Sequence, residues 1–93
     1  MKEISMDSII CQRPDVVATS IDGEVVMMSI ENGAYYGLDF IASRIWELIA
    51  SPCQVAKLIE TLMLDFEVER SSCERDVVKF LQELQKDKVI QVQ

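Results

Sequence analysis

Histidine is absent from the 93 residues. No Ser–His or Cys–His pair can therefore activate a nucleophile, and the side chain best tuned to general-base work near neutral pH is missing. Glycine is scarce, and Gly23, Gly33 and Gly37 sit singly at turns or in a strand; none is grouped ahead of a helix, which excludes a phosphate-cradling loop. The three cysteines, Cys11, Cys53 and Cys73, are an odd number without a CxxC spacing, which speaks against a disulfide framework and structural zinc and makes them small buried thiols. Basic residues are outnumbered nine to sixteen, for a net charge of −7. Such a surface repels phosphate backbones and anionic headgroups, so neither nucleic acid nor membrane is an expected partner. Long apolar runs are lacking too, and the opening MKEISMDS has no signal-peptide core, so a soluble cytoplasmic protein is expected. The length suits one domain, residues 1–93, around a single core. No catalytic residue, metal or cofactor is expected.

What is present is a sharp change of hydrophobic period. Ser8 to Gln12 is a possible short strand ending at the RPD break, where Pro14 cannot continue a central ladder. Val16 to Ile21 and Glu24 to Glu31 are β-branched or apolar runs joined by Asp22-Gly23, the chemistry of a two-residue hairpin turn. A second turn at Glu31 to Gly33 returns the chain into Ala34 to Leu38, completing a three-stranded antiparallel meander with a short edge strand. Asp39 then stands as N-cap of a helix from about Phe40 to Ala50, with Ile41, Ala42, Ile45, Trp46, Leu48 and Ile49 as its apolar stripe. Ser51, Pro52 and Gln54 fit N-cap, N1 and N3 of a second helix that buries Val55, Leu58, Ile59 and Leu62. The link DFEVER leads to a third helix, with Ser71 and Glu74 as a capping box and Cys73, Val77, Phe80, Leu81 and Leu84 on one side. The ending KVIQV reads as a short tail strand or extended end. The fold class is α+β, a winged helix-turn-helix-like order of a three-stranded antiparallel sheet followed by three helices.

A winged helix suggests a small transcriptional regulator, but the third helix sets Arg75, Lys79 and Lys86 among Glu74, Asp76, Glu83 and Asp87. That face has no net positive charge with which to release counterions from DNA. The same alternation of sign marks its carboxylates as a solvated face and not an acid–base pair.

The ordered set EVVMMSIENGAYYGLD, FIASRIWELI, VAKLIETL, DVVKFLQEL and VIQV, from about Val16 to Val92, resembles the family of the pyrroloquinoline-quinone synthesis protein D, the precursor-peptide recognition elements of ribosomal peptide pathways. Its most specific pieces are the Tyr-Tyr-Gly-Leu run, the pattern of Ala42, Ile45, Trp46 and Leu48, and that of Asp76, Val77, Phe80 and Leu81. The standalone recognition proteins of lasso-peptide clusters are the most similar members. One departure is Lys88, where the family often has glycine; the position caps the third helix. The resemblance implies a module without catalysis of its own, binding the leader region of a precursor peptide as an added strand. The implied peptide-binding residues are Ala34, Tyr35, Tyr36, Gly37 and Leu38 on the edge, and Asp76, Val77, Phe80, Leu81 and Leu84 on the third helix. The implied second partner is a separate leader peptidase, a transglutaminase-like cysteine protease. The alternative within the family is a peptide chaperone delivering its precursor to a radical SAM enzyme.

The mechanism fits strand addition, in which edge backbone groups give affinity and alternate side-chain pockets give specificity. By strand alternation Tyr35 faces opposite to Ala34, Tyr36 and Leu38, so one tyrosine can pack inward while the other borders the groove; sequence alone does not say which, although the Leu38 register suggests that Tyr36 shares the core face. Trp46 is expected in the core, and Met27 and Met28 on opposite faces of the middle strand.

Overall fold

The computed structural model describes residues 2–30 and 33–93. Strands β1 (Ile9–Gln12), β2 (Val16–Ile21), β3 (Glu24–Ser29) and β4 (Tyr35–Gly37) lead into α1 (Phe40–Leu48); β5 (Cys53–Gln54), α2 (Val55–Asp65), α3 (Arg70–Lys86) and β6 (Ile90–Val92) follow. Asp22 and Gly23 take φ of 51° and 83°, the left-handed pair that a tight hairpin turn demands and that Asp-Gly supplies at low cost. The resulting antiparallel sheet has the order β2-β3-β4, as the sequence predicts. Of the second predicted turn, Glu31 and Asn32 lie outside the described residues; Gly33 has a φ of +70° and its N–H donates to the Ser29 carbonyl at 2.8 Å.

A second antiparallel sheet, β5-β1-β6, is an addition to the predicted meander. It ties the two ends of the sequence together, pairing Ile10 with Val92 on one side and with Cys53 on the other. This sheet corrects the expected start of α2. Cys53 and Gln54 are extended, Gln54 is the N-cap without a side-chain bond, and Ser51 and Pro52 precede the helix. The reason is that the first N–H groups of α2 are already satisfied: Val55 donates to the Ser8 carbonyl and Ala56 to the Met6 carbonyl, both at 2.9 Å, so no capping side chain is needed. The Ser71–Glu74 capping box is corrected as well. Helix α3 starts at Arg70 with Glu69 as N-cap, while Glu74 is drawn into an ion pair with Arg70 at 3.0 Å.

The core forms where α1, α2 and α3 meet the inner faces of both sheets. Helix α1 contributes Ile45 and Trp46, α2 the predicted Val55, Leu58, Ile59 and Leu62, and α3 Cys73, Val77, Leu81 and Leu84. Met27 is buried on the inner face of β3 while Met28 is half-buried on the outer. Among the described residues no helix is long and apolar enough to cross a membrane.

Helix α3 ends in a Schellman turn. Lys88 sits at φ 60°, its N–H donates to the Gln85 carbonyl, and the Val89 N–H reaches the Leu84 carbonyl at 3.1 Å. A side chain in the left-handed region costs about 1 kcal/mol that glycine avoids. Lys88→Gly should accordingly raise the thermal midpoint by about 5 °C, and a calorimetric scan showing no rise would place the cost elsewhere.

Candidate functional site: a free sheet edge beside an apolar cleft

Among the described residues strand β4 is paired on one side only, and its ladder reveals which backbone groups are open. The Ser29 N–H donates to the Ala34 carbonyl at 3.1 Å and the Leu38 N–H to the Val25 carbonyl at 2.9 Å. Residues opposite one another in antiparallel strands alternate between bonded and non-bonded pairs. With 29:34 and 25:38 bonded, Met27:Tyr36 is bonded too, and Met28:Tyr35 and Val26:Gly37 are not. The N–H and C=O groups of Tyr35 and Gly37 therefore point to the open edge. The Tyr35 side chain stands 76% exposed on the outer face, whereas Tyr36 is half-buried and packs on the core, in agreement with the Leu38 register.

Two polar side chains fix the end of this edge. The buried Ser43 hydroxyl accepts from the Val25 N–H at 2.8 Å and donates to the Leu38 carbonyl at 3.2 Å, joining α1 to both strands. Asp39 caps α1 as predicted, its Oδ1 accepting from the Ala42 N–H at 2.8 Å.

Beyond Asp39 opens a cleft of about 280 Å³. One wall is α3, with Cys73, Asp76, Val77 and Phe80; the other is α1, with Ile41, Ala42 and Ile45. Leu62, Phe66 and Val68 of α2 and the following link complete it, and Phe66 is held edge-on against Phe40 with ring centroids 6.0 Å apart. Burial pushes the Cys73 thiol pKa up, and the nearby Asp76 and Glu74 carboxylates raise it further, so the cleft holds a neutral thiol and no thiolate nucleophile at neutral pH. Among the described residues no group of three or more His, Cys, Asp or Glu is placed to hold a metal ion.

Of the residues read from the sequence, Asp76, Val77 and Phe80 lie together in the cleft. Ala34 to Leu38 form the adjoining edge, which runs into the cleft at Asp39. Leu81 and Leu84 are in the core, with 0% and 3% exposure, and do not reach the cleft surface. The sequence reading missed Ile41, Phe66 and Val68. Val68 carried a signal, as the single aliphatic residue in an otherwise charged stretch of the link, Glu67 to Arg70.

An open edge of backbone donors and acceptors, set beside an apolar cleft on a winged-helix-like frame, defines a class of small α+β domains suited to take up an extended chain. Residues 24–90 match the family described as coenzyme PQQ synthesis protein D (PqqD), and the chain belongs to that family. Two solved structures share the fold. One is TbiB1 in complex with the TbiA(beta) leader peptide, with 31% identity and a TM-score of 0.82 over 87% of this chain and 94% of that one. The other is a lasso peptide synthetase B1 complexed with its leader peptide, with 23% identity and a TM-score of 0.77 over 88% of this chain and 96% of that one. No curated protein matches the chain.

Proposed function

We propose that residues 1–93 form one non-catalytic recognition domain of a ribosomal peptide pathway, of the lasso type, that binds the leader of a precursor peptide and presents it to a separate leader peptidase. The observation that carries this reading is the likeness to TbiB1, a structure complexed with a leader peptide, over nearly the whole chain. The site supports it. A leader strand added along β4 meets the free groups of Tyr35 and Gly37, and its inward side chains meet Val77 and Phe80 in the cleft. Leu81 and Leu84 support that wall from behind. Catalysis belongs to the partner, which gains from the raised local concentration of a bound substrate. The setting is the cytoplasm, where a ribosomal precursor is made.

The direct test is titration of the leader encoded by the nearest short open reading frame, read by amide chemical shifts. Binding with shifts confined to Ala34–Leu38 and Asp76–Phe80 is the expected result; absence of binding at high concentration would return the regulator reading to the front. Gly37→Pro sharpens the test, because the lost N–H points outward and β3 pairing is untouched. No atom lies within 4 Å of a Cβ placed there, so the variant should fold while leader affinity drops about tenfold.

The partner peptidase has a surface available to it. The outer face of β2-β3-β4 carries Val17, Ile21 and Tyr35 at 55%, 58% and 76% exposure, with Val26 and Met28 between them. A leader strand on β4 would extend this same face, so an enzyme seated there touches protein and substrate together. The alternative partner within the family, a radical SAM enzyme, is separated by gene context and by which enzyme co-purifies.

A further inference from the structure

Among the described residues the cleft is apolar except for the carboxylates of Asp39 and Asp76, and no cation lines it. The Asp39 carboxylate is partly committed to capping α1. The Asp76 side chain makes no hydrogen bond or ion pair with a described residue. Two nearby cations are held elsewhere, Arg44 by Asp65 at 2.9 Å and Arg70 by Glu74 at 3.0 Å; Lys79, one turn along α3, and the adjacent Arg75 are exposed, line no part of the cleft and form no ion pair with Asp76.

A peptide that covers the cleft strips water from these carboxylates, and a desolvated, unpaired charge is costly. A cation brought by the peptide removes that cost, and the net charge of −7 draws such a peptide in. In an added strand, side chains two residues apart share a face. The cation that accompanies an apolar side chain in the cleft therefore stands two positions from it, and not next to it.

We propose that Asp76, assisted by Asp39, is a specificity-determining residue that selects leaders carrying a lysine or arginine two residues from the apolar anchor. This rests on the leader-binding reading above and deepens it.

The test uses the leader encoded by the nearest short open reading frame. An alanine scan first locates its apolar anchor. Versions with Lys, Gln or Glu two residues to either side, and next to the anchor as controls, are then titrated against the unaltered chain and Asp76→Asn at low salt. The expected result is an affinity order of Lys over Gln over Glu at one of the two-residue positions, spanning about tenfold, and shrinking to about twofold in Asp76→Asn. The exposed, near-isosteric exchange should leave the amide spectrum of the free protein otherwise unchanged. Asp39→Asn, which keeps a capping side chain, should narrow the span by less. An unordered series, or an order that persists undiminished in Asp76→Asn, overturns the inference while leader binding stands. Failure of every version to bind overturns the leader-binding reading and this inference with it.

Discussion

Phe80→Ala should yield a folded chain that binds its leader at least about 30-fold more weakly, a loss of about 2 kcal/mol. Phe80 is half-buried, packed on the core on one flank and lining the cleft on the other. Truncating it removes the largest apolar contact of the α3 wall, the kind of central aromatic that dominates interface energetics. The cost to folding is smaller than for a fully buried ring, because part of the side chain is already in contact with solvent. Leu81→Ala supplies the contrast. Leu81 is fully buried beneath the wall, so its truncation should cost about 3 kcal/mol of stability, with any loss of leader affinity following the loss of structure. Isothermal titration of both variants, alongside their unfolding curves, separates the cases. Equal affinity for Phe80→Ala and the unaltered chain would remove the cleft from the binding site.

Carboxylates at Val17 and Ile21 should have the opposite signature. With Val17→Glu and Ile21→Glu combined, leader affinity should stay within about twofold, while cleavage of the bound leader by the proposed peptidase partner should fall about 100-fold. Both side chains are exposed on β2, the strand most distant from the β4 edge within its sheet, so neither stability nor leader pairing depends on them strongly. The strand VVATSI carries no charge at all, unusual for an exposed edge that solubility alone would favour decorating with charge. Two unpaired carboxylates buried under a partner would cost several kcal/mol, enough for the stated loss. Undiminished cleavage would show that the peptidase approaches another face. A matching loss of leader affinity would instead extend the leader site over the outer face.

The local features of this chain were legible and the non-local ones were not. Asp22-Gly23 announces its turn because few residues adopt two successive positive φ angles. Asp39 announces its helix because the change from period two to a helical stripe falls just there. The start of α2 was misread because its orphan N–H groups are met by Ser8 and Met6, a contact across the sequence that no cap pattern near Ser51 reveals. The candidate site divides the same way. Alternation puts Tyr35 and Tyr36 on opposite faces from sequence alone, but which one turns inward is decided by the fold, where Tyr35 is exposed and Tyr36 packs on the core. On α3 the apolar stripe is wide, and periodicity does not say which flank meets the core, so Leu81 and Leu84 were grouped with Phe80 although only Phe80 reaches the cleft. Ile41 and Phe66 belong to elements that converge only in three dimensions.

The pairing of Ile10 with Val92 has a kinetic meaning. Sheet β2-β3-β4 is assembled from neighbours in sequence and can form early, but sheet β5-β1-β6 closes a loop spanning almost the whole chain, the slow kind of contact. The nascent chain can thus build the open β4 edge before Val92 has been synthesised, yet the pairing of the Ile10–Gln12 segment must wait for the final strand. In that interval α3 lacks its full support, and the cleft wall it forms is the last part of the candidate site to mature.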